Sequence, residues 1–149
     1  MKNTLLKYLI FLLFLSSCTQ GGGLSSTYSF PEGKWQRFNN PILTFNIDAP
    51  GVYYDMFLEF EYDTAKPPSD FLVTVLMYTP SGEMRARDIQ LKPGSSNDEG
   101  AVQGVFKVVL RRDFAFSDMG ECTFEIENRS SKVMINGVKS LRILLEKSQ

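Results

Sequence analysis

The sequence predicts an all-β domain: a two-layer antiparallel β-sandwich of jelly-roll or Greek-key type with seven to nine strands. Three observations carry this. From Tyr28 onward the apolar residues recur at every second position; no stretch sustains the 3.6-residue period of an amphipathic helix; and clusters of Gly, Pro, Asn and Asp cut the alternating runs at short intervals. Many short strands separated by such turns bury their apolar faces by packing sheet on sheet. A chain of 149 residues, 43% of them hydrophobic, suffices for one such core.

The elements follow in order. Leu43, Phe45 and Ile47 alternate with polar residues until Ala49-Pro50-Gly51 ends the run. Met56, Leu58, Phe60 and Tyr62 alternate with Asp55, Glu59 and Glu61, and Thr64 to Ser69 turns the chain. Phe71 to Tyr78 is apolar on both faces, which predicts a central strand. Thr79-Pro80-Ser81-Gly82 reverses the chain, and Glu83 to Leu91 returns it. Lys92 to Gly100 reads as a polar loop, Val102 to Leu110 as a long strand, Cys122 to Glu127 as a short one, and Leu141 to Glu146 as the last. Few of the turns have the two-residue hairpin signature, which favours crossovers between sheets over a simple meander.

The first residues follow a different logic. Lys2 and Lys7 precede an unbroken apolar run from Tyr8 to Leu15. That run is too short for the roughly 20 residues of a membrane-spanning helix but suits the roughly 7–15 of a secretory signal. It closes with Leu15-Ser16-Ser17-Cys18, which resembles the lipobox of bacterial lipoproteins. That resemblance implies a signal peptide over residues 1–17, cleavage before Cys18, diacylation through its sulfur and usually a third acyl chain, such as palmitate, on the new amino terminus. Two or three acyl chains anchor a domain stably where one does not. Residues 18–27 then read as the lipidated cysteine and a flexible Gly/Ser tether, and residues 28–149 as the folded domain.

Composition narrows the chemistry. The chain has no histidine, which excludes Ser-His-Asp and Cys-His catalysis and removes the commonest transition-metal ligand. A formal charge of −1 leaves no footprint for nucleic acid, and losing Lys2 and Lys7 with the signal peptide moves the balance further negative. If Cys18 is lipidated, Cys122 has no partner; it alternates in phase with Phe124 and Ile126, as a core residue does. Asn97-Asp98-Glu99-Gly100 lacks the alternate spacing of acids that an EF-hand requires. No cofactor, metal or catalytic group is expected, so the chain reads as a non-enzyme.

The candidate binding residues are Trp35, Arg85, Arg87, Arg111 and Arg112. Arg85 and Arg87 share one strand face, and Arg111 with Arg112 is expected to end another strand; such arginines suit a carboxylate or phosphate. The alternative is a solvated charged face. Trp35 is either a ligand platform or a plug for the core.

From Trp35 to the end, the order of these marks resembles the GldH family of gliding-motility lipoproteins of Bacteroidetes. The matching features are Trp35 before Phe45-Asn46-Ile47-Asp48, the tyrosine-led strand Tyr54 to Phe60, Pro80-Ser81-Gly82 with Asp88, Gly120 to Glu127 with Arg129, and Gly137-Val138 before Leu141 to Leu145. The resemblance implies an interaction component of the gliding-motility and associated secretion machinery. The surface-exported lipoproteins of that phylum carry acids just after the cysteine, where this chain has Thr19-Gln20-Gly21. That difference implies an outer-membrane protein facing the periplasm. The expected partners are the membrane, through Cys18, and envelope proteins; a glycan-binding jelly roll is the alternative.

Overall fold

The computed structural model describes residues 22–94 and 103–149; Cys18 and the acidic loop Asn97–Gly100 lie outside the described residues. Among the described residues ten strands form: β1 (Leu24–Ser29), β2 (Lys34–Gln36), β3 (Ile42–Ile47), β4 (Tyr53–Tyr62), β5 (Phe71–Tyr78), β6 (Met84–Leu91), β7 (Val105–Ala115), β8 (Gly120–Asn128), β9 (Met134–Asn136) and β10 (Val138–Lys147). One 3-10 turn, Pro31–Gly33, separates β1 from β2.

The pairing is nested. β5 pairs with β6, β4 with β7, β3 with β8, β2 with β9 and β1 with β10, all antiparallel. The chain is thus one long hairpin, folded back at Thr79–Glu83 and then rolled up. At that apex the Thr79 N–H donates to the Glu83 carbonyl at 2.9 Å, and Gly82, at φ 86°, takes the left-handed conformation that glycine adopts without strain. Pairing of β10 with β4 and of β8 with β5 closes the roll into two four-stranded sheets, β1-β10-β4-β7 and β3-β8-β5-β6, beside the small ribbon β2-β9. This is a jelly-roll sandwich, the predicted class.

Alternate residues from both sheets meet in one core. Leu58, Phe60, Val73, Ile126, Leu141 and Ile143 are essentially inaccessible. Rings pack edge to face along it, with Phe60 against Phe71 at 5.6 Å and Phe45 against Phe124 at 5.7 Å. Cys122 is fully buried in this core, a free cysteine on the face its alternation predicts.

The strand count and the domain start differ from expectation. The described chain enters the first sheet at Leu24, not at Tyr28, so Leu24 to Thr27 is strand and not tether. Only Leu24 and Tyr28 of β1 pack against the core; the backbone supplies the rest by pairing with β10, which no apolar pattern announces. β2 and β9, three residues each, are too short to show a period. β7 continues past Leu110 to Ala115, so Arg111 and Arg112 lie within it and do not end it.

Candidate binding surfaces

The edge strands of the two sheets, β6 and β7, face each other across the open side of the sandwich. A cleft of about 220 Å³ lies between them, floored by Met56, Val75, Met77, Leu110 and Phe124 and bordered by Arg85, Ala86, Arg87 and Arg111. Strand geometry explains the mixture. Arg85 and Arg87 keep the phase of the buried Ile89 and Leu91, so both project from the core-facing side of β6 where the sheet outruns its partner.

Arg111 reaches the same cleft through an irregularity in β7. Met56 opposes Arg111 while Phe57 opposes Val109, so β7 carries an extra residue there, and a second shift separates Tyr54 from Met56. Leu110 and Arg111 therefore both line the cleft although they are adjacent. Arg85 and Arg111 flank the Phe114 ring, with guanidinium carbons 5.2 and 5.4 Å from its centroid. Arg87 donates through Nη1 to the carbonyls of Val109, at 3.1 Å, and of Leu110, tying the two edges together. Arg85 also bonds Glu83 at 3.0 Å, the one acid paired with this arginine group among the described residues.

The other two candidates go elsewhere. Arg112 points to the outer face of the first sheet, where it meets Asp55 at 2.8 Å and lies over Phe57. Alternation along β7 sends neighbouring side chains to opposite sides, which separates it from Arg111. Trp35 is fully buried; its indole N–H donates to the Asn39 carbonyl at 2.9 Å and its ring packs on Phe30 and Phe71. It is a plug of the core and not a ligand platform. The cleft had a signal in the sequence: the Ile89-x-Leu91 alternation, carried back two steps, puts Arg87 and Arg85 on the inward face.

The outer faces of the sheets contrast. On the first sheet, Glu59 is held by Arg142 and Lys107, and Lys107 also reaches Glu146 at 3.7 Å. In the middle of that face Leu144, Phe57 and Val109 stand side by side across three strands, Leu144 and Val109 half-buried, and Lys107 caps the Phe57 ring at 4.3 Å from its centroid. On the second sheet, Tyr78 stands opposite Met84 and Leu76 opposite Ala86, which makes a continuous apolar row across β5 and β6. Ile42, 61% exposed, lies beyond Glu125 on the same face, and Met84 is 58% exposed.

No family model and no curated protein matches this chain. Among solved structures it is similar to the VP2 subviral particle of infectious bursal disease virus, with 11% identity and a TM-score of 0.47 over 85% of this chain and 33% of that one. It is also similar to a GH26-CBM35 β-(1,4)-mannanase of Podospora anserina, with 14% identity and a TM-score of 0.45 over 87% of this chain and 28% of that one. A third is the CBM22-1 xylan-binding domain of Paenibacillus barcinonensis Xyn10C, with 10% identity and a TM-score of 0.39 over 89% of this chain and all of that domain. The chain spans about a third of the length of the first of these. Likenesses at this level carry nothing about ligand or activity.

Proposed function

We propose that this chain is a lipid-anchored, non-enzymatic docking module of a cell-envelope assembly, held at the outer membrane facing the periplasm. The observation that carries the reading is the asymmetry of the sandwich. One outer face covers its central Leu144, Phe57 and Val109 row with Lys107 and Arg112 over the Phe57 ring, whereas the other leaves Tyr78 and Met84, 40% and 58% exposed, beside Leu76 and Ala86 with no cation over them among the described residues. Contiguous apolar patches on a soluble domain mark surfaces that meet another protein. The lipobox-like Leu15 to Cys18 supports the anchor, and the resemblance to gliding-motility lipoproteins supports an envelope complex of the motility and secretion type as the partner.

Photo-crosslinking in cells tests this. A crosslinking residue at Tyr78 or Met84 is expected to capture one envelope protein, while the same residue at Thr27 on the opposite sheet captures none. Met84→Lys is expected to reduce the Tyr78 adduct at least ~10-fold, because a charged side chain in a desolvated interface is costly. Equal labelling from both faces, or a saturable glycan-array hit with no protein neighbour, overturns the proposal in favour of the glycan-binding alternative. For the anchor, Cys18→Ala is expected to abolish palmitate labelling and release the chain to the soluble fraction. Unchanged membrane retention refutes it.

A further inference from the structure

We propose that the cleft between β6 and β7 binds a small amphiphilic anion, with a carboxylate or phosphate head held by Arg85, Arg87 and Arg111 and an apolar body seated between the sheets. Three features of the cleft select this chemistry. Its floor is apolar and belongs to the core: Met56, Met77 and Phe124 are at most 6% exposed yet line it. Two methionines in the floor give it side chains that adapt to a flexible chain. Its volume, about 220 Å³, exceeds the roughly 150 Å³ that suffices for benzene, so it holds a body of roughly six to eight carbons.

The rim supplies the charge. Three guanidinium groups gather there in a chain of net charge −1, and Glu83 is the one acid paired with them among the described residues. Arg111 makes no ion pair among the described residues; it lines the cleft with its guanidinium carbon 5.4 Å from the Phe114 ring centroid. Arg87 commits Nη1 to the β7 carbonyls, and a guanidinium has five N–H donors, so others remain for an oxyanion. A hydrated inorganic anion would use the rim and leave the floor empty. An uncharged hydrocarbon would use the floor and leave the arginines without an anion. An oxyanion on a short alkyl chain uses both.

The test uses the whole chain, methyl-labelled at methionine and reconstituted in lipid nanodiscs, titrated with butanoate, hexanoate, octanoate, octyl phosphate and 1-octanol. Met56 and Met77 report the floor; Met119 and Met134, outside the cleft, are controls. The Met56 and Met77 methyls are expected to shift saturably with octanoate or octyl phosphate, and whichever binds more tightly identifies the head group. Each added CH₂ from butanoate upward is expected to tighten binding by roughly fourfold until the floor is filled. 1-Octanol is expected to bind at least ~10-fold more weakly than the anion. The double variant Arg85→Gln/Arg111→Gln, which spares the inter-sheet Arg87, is expected to weaken octanoate at least ~10-fold while the ligand-free methyl positions stay in place. Equal binding of octanol and octanoate, shifts that move all four methyls alike, or no saturable shift with either anion overturns the proposal.

Discussion

Asp55 shows how one carboxylate can hold an irregular strand. It accepts the Asp113 backbone N–H at 3.0 Å, the Ser148 hydroxyl at 3.0 Å and the Arg112 guanidinium at 2.8 Å. Asp113 sits at φ 51°, a left-handed conformation uncommon outside glycine, at the point where β7 is irregular. The Asp113 hydrogen bond, with those of Ser148 and Arg112, holds the Asp55 carboxyl below the usual carboxylate range. A depressed pKa stabilises the fold above the unfolded-state value, and that contribution is lost as pH falls through the folded-state value. The urea midpoint of the parent chain is therefore expected to exceed that of Asp55→Asn most at neutral pH, with the gap closing on acidification. A gap independent of pH counts against this role. Cys122 is the opposite case: burial pushes its thiol up to about 12, so almost no thiolate forms at pH 8. Peptide mapping after iodoacetamide treatment is expected to find Cys122 unmodified in the native protein and alkylated in urea. Rapid native alkylation would show that the core around it opens.

At the scale of elements, the turn before β10 is the most constrained junction among the described glycines. Gly137 takes φ 81°, and a Cβ placed on it would lie 2.3 Å from the Lys66 carbonyl oxygen. Its own N–H donates to Gly33 at 3.0 Å and its carbonyl accepts from Asp63 at 2.8 Å, so three loops meet on this one residue. Gly82 has nearly the same φ, 86°, with nothing within 4 Å of its would-be Cβ. Gly82→Ala is expected to cost about 1–2 kcal/mol for the left-handed backbone alone. Gly137→Ala adds displacement of a backbone carbonyl and is expected to cost clearly more in urea denaturation; equal costs refute the close approach. These junctions also mark the limit of what the sequence shows. The strands β3, β4, β8 and β10 are legible because each buries a period-two apolar face against a sheet, β5 and β7 because they are apolar runs, and β6 because the Thr79 to Gly82 turn returns the chain into it. β1 is not, since Leu-Ser-Ser-Thr-Tyr-Ser contributes two apolar contacts and is held by backbone pairing with β10. The arginines are legible as a group, but their separation into a cleft set and an outer-face Arg112 depends on two register shifts in β7 that the sequence does not announce.

For the whole molecule, the nested order of pairing sets the order of assembly. β5 and β6 are joined by a short turn, whereas β2 and β9 bring Trp35 opposite Ile135, with nearly the entire domain between them in the chain. Pairing across a long intervening chain is entropically costly until the inner strands have shortened the effective loop, and folds dominated by such contacts fold in milliseconds to seconds. The hairpin β5–β6 is therefore expected to be formed in the transition state and the ribbon β2–β9 to close after it. Trp35 is the chain's one tryptophan and is fully buried within that ribbon, so its fluorescence reports the late event directly. Two substitutions of the same kind separate the stages: Ile89→Ala in β6 and Ile135→Ala in β9, both at buried isoleucines and each costing about 2–5 kcal/mol. In stopped-flow experiments Ile89→Ala is expected to slow refolding, whereas Ile135→Ala is expected to leave refolding near the parent rate and speed unfolding instead. If Ile135→Ala slows refolding as much as Ile89→Ala, the roll does not form from its apex outward, and the outer strands must meet before the inner hairpin is complete.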